Sequence, residues 1–275
     1  MIKKFQIELL VLVILILNFF VSYNIDIGFY NFFHNLNNSL QNIYLKDFFK
    51  QITILGDSKW YFILSFFLII TCHLITKFDY FNKYKFYIKI YKNFSVYLFL
   101  SLTTASLLTQ ILKHVIGRPR PNHASFDNVF EFNLFNVNSD FHSFPSGHTS
   151  TIFVVALVII FFIPKLKYFF LFLAGIIAFS RIVVGAHFFT DVVGGVAISC
   201  LGIKLTKLFL DKYYPISTIK KVGSFYDNKI YSVLIIFFFL IVIFAVGPSI
   251  DIYFSSLFYY GKSHFLLQSY YDVTV

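Results

Sequence analysis

The sequence predicts an all-α protein, a polytopic membrane helix bundle, and three observations lead there. Of its 275 residues, 58% are hydrophobic, well above the roughly 45–50% of ordinary soluble domains, and the mean hydropathy is +0.73. The apolar residues gather into seven runs, and a bilayer core of ~30 Å takes about 20 such residues per helix. Lys and Arg lie between the runs and concentrate on alternate connections, the distribution that sets orientation in a membrane.

The runs are Phe5–Val21, Trp60–Thr76, Phe94–Leu112, Thr149–Ile163, Tyr168–Val184, Val192–Leu210 and Ile230–Val246. Lys3 and Lys4 precede the first in the manner of a signal peptide, but no small-x-small cleavage site follows, so an uncleaved anchor is expected. The segment from Asn24 to Lys59 is too polar to span and carries aromatics at helical spacing. It reads as one or two interfacial helices forming a lid on the outer face. The fourth run is short and has to borrow Ser146 to His148, which places those residues at the membrane surface. Ile25-Asp26-Ile27, followed by Phe29, Phe32 and Phe33, is echoed by Ile250-Asp251-Ile252 with Phe254, Leu257 and Phe258. The seventh run then reads as a second copy of the first.

One set of connections holds Lys3 and Lys4, the group from Lys77 to Lys92, Lys165 and Lys167, and the Lys residues from Lys204 to Lys229; the other holds only Lys46, Lys50, Lys59 and Lys262 outside three polar clusters. The positive-inside rule puts the first set in the cytoplasm and all three clusters outside. The net charge of +10 therefore reports topology, and no nucleic-acid partner is expected. Cys72 and Cys200 both sit inside apolar runs, which argues against a disulfide framework.

The clusters carry the chemistry. Lys113-His114-Val115-Ile116-Gly117-Arg118-Pro119-Arg120-Pro121 is a cation-rich turn, Pro145-Ser146-Gly147-His148 precedes an apolar run, and Ser180-Arg181 is followed by His187 and Asp191. Phosphate cleavage needs cations around the equatorial oxygens, a nucleophile and an acid for the leaving oxygen. Arg120 and Arg181 suit bidentate phosphate binding and Lys113 acts as a point charge. Pro119 and Pro121 fix φ on either side of Arg120. Gly147 permits close backbone approach, and the run starting at Thr149 would aim helix N-terminal N–H groups at an anion.

His187 and Asp191 are four apart, so on a helix they share a face. The carboxylate would accept one imidazole N–H and leave the other nitrogen free to attack. A structural alternative pairs the cations with Asp127, Glu131 and Asp140. Arg118 reads equally as a headgroup contact or as surface charge. His114, His123 and His142 read as solvated loop residues, and His34, His73 and His264 as incidental.

Together, Lys113 with Arg120-Pro121, Pro145-Ser146-Gly147-His148, and Ser180-Arg181 with His187 and Asp191 resemble the three-part signature of the type 2 phosphatidic acid phosphatase (PAP2) superfamily, in order and at permitted spacing. That resemblance implies a six-span core, with His187 as the nucleophile that forms a phosphohistidine, Asp191 as its orienter and His148 as the acid for the leaving alkoxide. Lys113, Arg120, Ser146, Gly147 and Arg181 would bind the phosphoryl group. It implies no metal and no other cofactor. The partners expected are a lipid phosphate substrate and the bilayer, with no obligate protein partner. The expected organisation is a phosphatase core over 1–211, with the outer segment at 24–59 and active-site segments at 113–121, 145–148 and 180–191. Residues 212–275 would add a cytoplasmic linker, the seventh span and an outer tail.

The implied function is hydrolysis of a lipid phosphate or pyrophosphate at the outer face of a bacterial inner membrane. Two other classes compete with it. A vanadium haloperoxidase would use the same residues around vanadate, though such enzymes are soluble, and a non-catalytic scaffold or transporter would not need every position of the signature.

Overall fold

The computed structural model describes residues 25–36, 43–124 and 132–213. Every described regular element is helical: α1 (25–36), α2 (Ile43–Thr53), α3 (Ser58–Ile75), α4 (Lys85–Ile116), α5 (Gly147–Phe162), α6 (Lys167–Val183) and α7 (Phe189–Tyr213). Short 3₁₀ turns occupy Ile54–Gly56, Asp79–Tyr84, Ser139–Phe141 and Pro164–Leu166. Four stretches are long and apolar enough to cross a membrane, Lys46–Ile75, Asp79–Ile116, Pro164–Val183 and Phe189–Lys212, and α5 is apolar but shorter. The chain is a multi-pass membrane protein. The second to sixth predicted runs coincide with α3 to α7. The first and seventh, and with them the proposed internal copy, lie outside the described residues.

A helix that is apolar on every side belongs in the interior, and α5 is one. Ile152, Val154, Val155, Val158 and Ile159 are all buried, and α5 packs against α4, α6 and α7. The helices around it keep an apolar outer face: Ile63, Phe66 and Phe67 on α3, Leu107 and Ile111 on α4, and Phe169 and Phe172 on α6 are exposed. In lipid such faces need no cover, and helices draw together where small residues let backbones approach. A Cβ on Gly202 would come within 2.9 Å of the Ala105 Cβ, and one on Gly195 within 2.6 Å of the Ser146 carbonyl oxygen. α7 thus crosses α4 and α5 closely, which seats its N-terminus beside that of α5.

α4 stops at Gly117, whose φ of 58° belongs to the left-handed region that glycine adopts without strain. Its N–H donates to the Lys113 carbonyl at 3.0 Å, and a Cβ there would collide with the Asn133 carbonyl. The chain beyond is joined to the approach to α5, because Ser143 N–H donates to the Arg118 carbonyl at 3.0 Å and Arg120 N–H to the Asp140 carbonyl at 2.8 Å. The first and second polar clusters are thereby held side by side.

α1 and α2 cover this end of the bundle. Phe29 of α1 stacks on Phe189 with ring centroids 5.2 Å apart, and Phe33 meets Phe179 edge-on at 5.5 Å. α2 packs on α6. Aromatic side chains of α1 and α2 pack on the bundle, and the two helices also send polar groups inward.

Candidate active site

The N-terminus of α5 is the floor of the site. Ser146 is its N-cap, taking the Thr149 N–H at 3.4 Å and the Thr149 hydroxyl at 2.9 Å on its Oγ. Its own N–H donates to the Asp191 carbonyl at 2.9 Å, tying the second cluster to the third. Gly147 and His148 form the first turn, where free backbone N–H groups and the helix dipole favour an anion. Lys113, on the last turn of α4, reaches this point: its Nζ is 3.7 Å from where a Cβ on Gly147 would be.

His187 is not helical, so the shared-face geometry expected for it and Asp191 does not arise. It sits in the turn between α6 and α7, after Gly185 at φ 73°. Its Nδ1 lies 2.8 Å from the Ser143 carbonyl oxygen and 3.6 Å from Asp191 Oδ2. The first distance is a hydrogen bond and the second is too long for one. Both neighbours are acceptors, so Nδ1 carries the proton and Nε2 keeps its lone pair. Asp191 acts from the first turn of α7 instead: Oδ2 takes the Phe188 N–H at 2.8 Å and the Ser143 hydroxyl at 2.5 Å. It holds both ends of the loop in which the imidazole is clamped. Burial, helped by the charge of Arg181 and opposed by Asp191, pushes the His187 imidazole down to about 4. It is therefore neutral at physiological pH.

Three cations face this floor. Arg181 is 9% exposed, with Nη1 donating to Thr53 Oγ1 at 2.7 Å and a buried Nε that has no hydrogen-bond partner among the described residues. Arg120 donates from Nε to the Ser139 carbonyl at 3.0 Å. Lys113, Arg120 and Arg181 lie close enough for their charges to interact, as do Lys113, Arg181 and His187 with His148. Among the described residues none of the three cations pairs with a carboxylate. The purely structural ion-pair alternative fails for Asp140, whose side chain instead lies 3.5 Å from His123. Asp127 and Glu131 lie outside the described residues.

Arg118 is neither a headgroup contact nor surface charge. It is 1% exposed, with Nη1 donating to Asp191 Oδ1 at 2.6 Å and Nη2 to Asp26 Oδ2 at 2.7 Å. His142 also departs from expectation: it is 9% exposed, with Nε2 2.8 Å from the Asn136 carbonyl and its ring 4.3 Å from that of His114. It folds the loop and is not solvated.

α1, α2 and the turn that follows supply contacts that the motifs did not foretell. Thr53, at the end of α2, holds Arg181. Gly56 lies against His148, where a Cβ would come within 2.8 Å of the His148 Cβ. Tyr61 fixes that turn, its hydroxyl donating to the Leu55 carbonyl at 2.6 Å. Asp26 reaches Arg118 and Thr190 from α1. A Thr and a Gly in an aromatic segment carry no recognisable motif, and the Ile25-Asp26-Ile27 echo says nothing of a contact with Arg118.

A family profile and several known proteins match parts of this chain. The family profile described as the PAP2 superfamily matches residues 94–215. A lipid A 1-phosphatase of Rhizobium johnstonii is 39% identical over 103 residues, 37% of this chain and 41% of that protein. A phosphatidylglycerophosphatase B of Bacillus subtilis is 35% identical over 120 residues, 40% of this chain and 54% of that protein. The chain thus spans about half the length of the curated relatives it matches. Among solved structures, the crystal structure of Aquifex aeolicus LpxE aligns at a TM-score of 0.44 with 25% identity, over 65% of this chain and 93% of that one. The stretch that matches the PAP2 superfamily profile, residues 94–215, holds all three polar clusters.

Proposed function

We propose that the protein is an integral membrane phosphatase that hydrolyses a lipid phosphate monoester or pyrophosphate through a phosphohistidine intermediate. The observation that carries this reading is the convergence of three cations without carboxylate partners among the described residues, Lys113, Arg120 and Arg181, on a helix N-terminus flanked by His148 and His187. Uncompensated positive charge at a membrane boundary is costly, and an anionic phosphoryl group would offset it.

In the proposed reaction His187 Nε2 attacks phosphorus, forming an N–P bond as the ester P–O bond breaks. His148, protonated once the phosphoryl anion is bound among the cations, gives that proton to the leaving alkoxide. Water then attacks the phosphohistidine, His148 takes a proton from it, and inorganic phosphate leaves with Nε2 restored. Lys113, Arg120, Arg181 and the first-turn N–H groups at Gly147 hold the phosphoryl oxygens in both steps, and Asp191 keeps the imidazole in place. No group of three His, Cys, Asp or Glu that could hold a metal occurs among the described residues, and activity is expected to survive EDTA.

The names of the relatives support a lipid substrate, such as lipid A or phosphatidylglycerol phosphate; undecaprenyl pyrophosphate and phosphatidate belong to the same chemical class. The distribution of Lys supports an inner-membrane protein whose site faces the periplasm. The same reading keeps residues 1–211 as the catalytic core and 212–275 as a linker, seventh span and outer tail. Phosphate release by the detergent-solubilised chain from a panel of lipid phosphates, with vanadate as a competing anion, tests the function. Inhibition by vanadate and loss of turnover in His187→Ala are expected. A strict requirement for added Mg²⁺, or halide oxidation with vanadate in place of phosphate release, would overturn it.

A further inference from the structure

Below the imidazole lies a buried ionic assembly that the reaction above does not use. Asp26 of α1 accepts the Thr190 N–H on Oδ1 at 3.0 Å, capping α7 from outside, and takes the Thr190 hydroxyl at 2.6 Å and Arg118 Nη2 at 2.7 Å on Oδ2. Arg118 Nη1 turns the other way, to Thr190 Oγ1 at 2.7 Å and Asp191 Oδ1 at 2.6 Å. The guanidinium lies 4.4 Å from the centroid of the Phe188 ring, next in sequence to His187. Side chains of Arg118, Asp26 and Asp191 are at most 1% exposed.

Such an assembly is expensive, since burial disfavours each charge and is recovered only through good geometry and complete hydrogen bonding. Burial raises the Asp26 carboxyl pKa even with Arg118 beside it. Burial also works against the Arg118 charge, and Asp191 and Asp26 together overcome it. One guanidinium fork therefore links two carboxylates 165 residues apart in sequence (191 − 26 = 165). Asp191 Oδ1 is committed to that fork, while Oδ2 holds Ser143 and Phe188 on either side of His187.

We propose that Asp26 and Arg118 are positioning residues for catalysis: by fixing one oxygen of Asp191 and the first turn of α7, they set the orientation of the His187 imidazole toward phosphorus. They touch no substrate and bind no phosphoryl group. A displacement of about 1 Å at an attacking atom can cost about a hundredfold in rate, so the effect belongs in kcat. The proposal rests on His187 being the nucleophile.

The experiment compares wild type, Asp26→Asn, Arg118→Lys and Thr190→Val in detergent on a soluble short-chain lipid phosphate. Melting temperature and vanadate affinity are measured beside kcat and KM. Asp26→Asn is expected to lower kcat about tenfold and Arg118→Lys more, with KM and vanadate affinity within about twofold. In an Asp191→Asn background the further loss from Asp26→Asn should shrink below about twofold, because a group acting through Asp191 has nothing left to position. Should Asp26→Asn fail to fold, Thr190→Val carries the same test, since it keeps every charge and removes only the hydroxyl between them. Unchanged kcat in folded variants overturns the proposal. So does a kcat loss that simply follows melting temperature, an undiminished loss in the Asp191→Asn background, or a Thr190→Val protein that does not fold. A wild-type protein without phosphatase activity, or activity that survives His187→Ala, overturns the functional reading and this proposal together. An active wild type with indifferent Asp26 and Arg118 variants overturns this proposal alone.

Discussion

Two arginines separated by one proline occupy opposite electrical surroundings. Arg118 is buried between two carboxylates and a threonine, while Arg120 contacts backbone carbonyl and has no acid partner among the described residues. The same division runs through the whole site. Beneath His187 lies a compensated layer of Arg118, Asp26, Thr190 and Asp191. Above it lies an uncompensated layer of Lys113, Arg120 and Arg181. The difference teaches that charge is handled in two ways here: paired, it holds geometry at a desolvation cost, and unpaired, it is the part that the proposed function assigns to an anion. Both the expected signature and the outer segment contribute to each layer.

Breaking the junction between the layers should have the largest effect. His187→Ala is expected to lower phosphate release at least about a thousandfold while the protein still binds vanadate, because it removes the attacking nitrogen and leaves the cations. Retention of even a tenth of the activity would end the nucleophile assignment. Arg181→Ala attacks the upper layer alone. A loss of about a hundredfold in kcat/KM, accompanied by weaker vanadate binding, is expected from removing one charge at the transferred group. If vanadate affinity held while turnover fell, Arg181 would belong with Arg118 in the positioning layer.

Gly56→Ala probes the outer segment. The added methyl carbon would meet the His148 Cβ at 2.8 Å, and the turn is held by Tyr61, so His148 has to move. Turnover of an alkyl phosphate should fall about tenfold, and that of an activated aryl phosphate much less, because only the former depends on leaving-group protonation. Equal losses on both would argue that His148 binds phosphate and does not act as the acid. Thr53→Val removes the hydroxyl that holds Arg181; one hydrogen bond of about 1 kcal/mol corresponds to roughly a fivefold rise in KM. An unaffected KM would mean that Arg181 is oriented by its helix alone.

The smallest effect expected is a flat pH response. With its pKa lowered to about 4, His187 stays neutral in the free folded protein down to mildly acidic pH. Its unfolded counterpart takes up a proton near 6.5. Folding therefore loses support from this group as pH falls from about 6.5 to about 4, and the loss ends below that. For activity, His187 should put no acid limb in kcat/KM between about pH 5 and pH 7. A limb there that vanished on altering Asp191 would show the imidazole to be charged in the resting site.

How far the site could be read in advance depended on the kind of signal. Lys113, Arg120, Ser146, Gly147, His148, Arg181, His187 and Asp191 stand out because polar residues interrupting apolar runs are rare and expensive. Local rules also sufficed for the helices: α3 to α7 follow from run length, and the start of α5 from the Pro145-Ser146-Gly147 turn before its run. The relation of His187 to Asp191 did not follow from spacing. An i, i+4 pair shares a face only inside a helix, and α7 begins at Phe189, after the histidine.

By itself, then, the sequence determined an all-helical membrane protein and the residue types that could meet a phosphoryl group. Tertiary structure decided which cations are free to do so. Arg118 and Arg120 are alike in type and lie in the same turn, and the arrival of Asp26 from 92 residues away and of Asp191 from 73 away separates their surroundings. Similarly, the Ser143 carbonyl that orients His187 belongs to a loop 44 residues earlier. A backbone acceptor has no side-chain identity to read, and the Ile25-Asp26-Ile27 echo does not say which cation Asp26 will meet. Burial cost alone, met by whichever partner the packing of α1 and α7 brings within reach, makes these contacts specific.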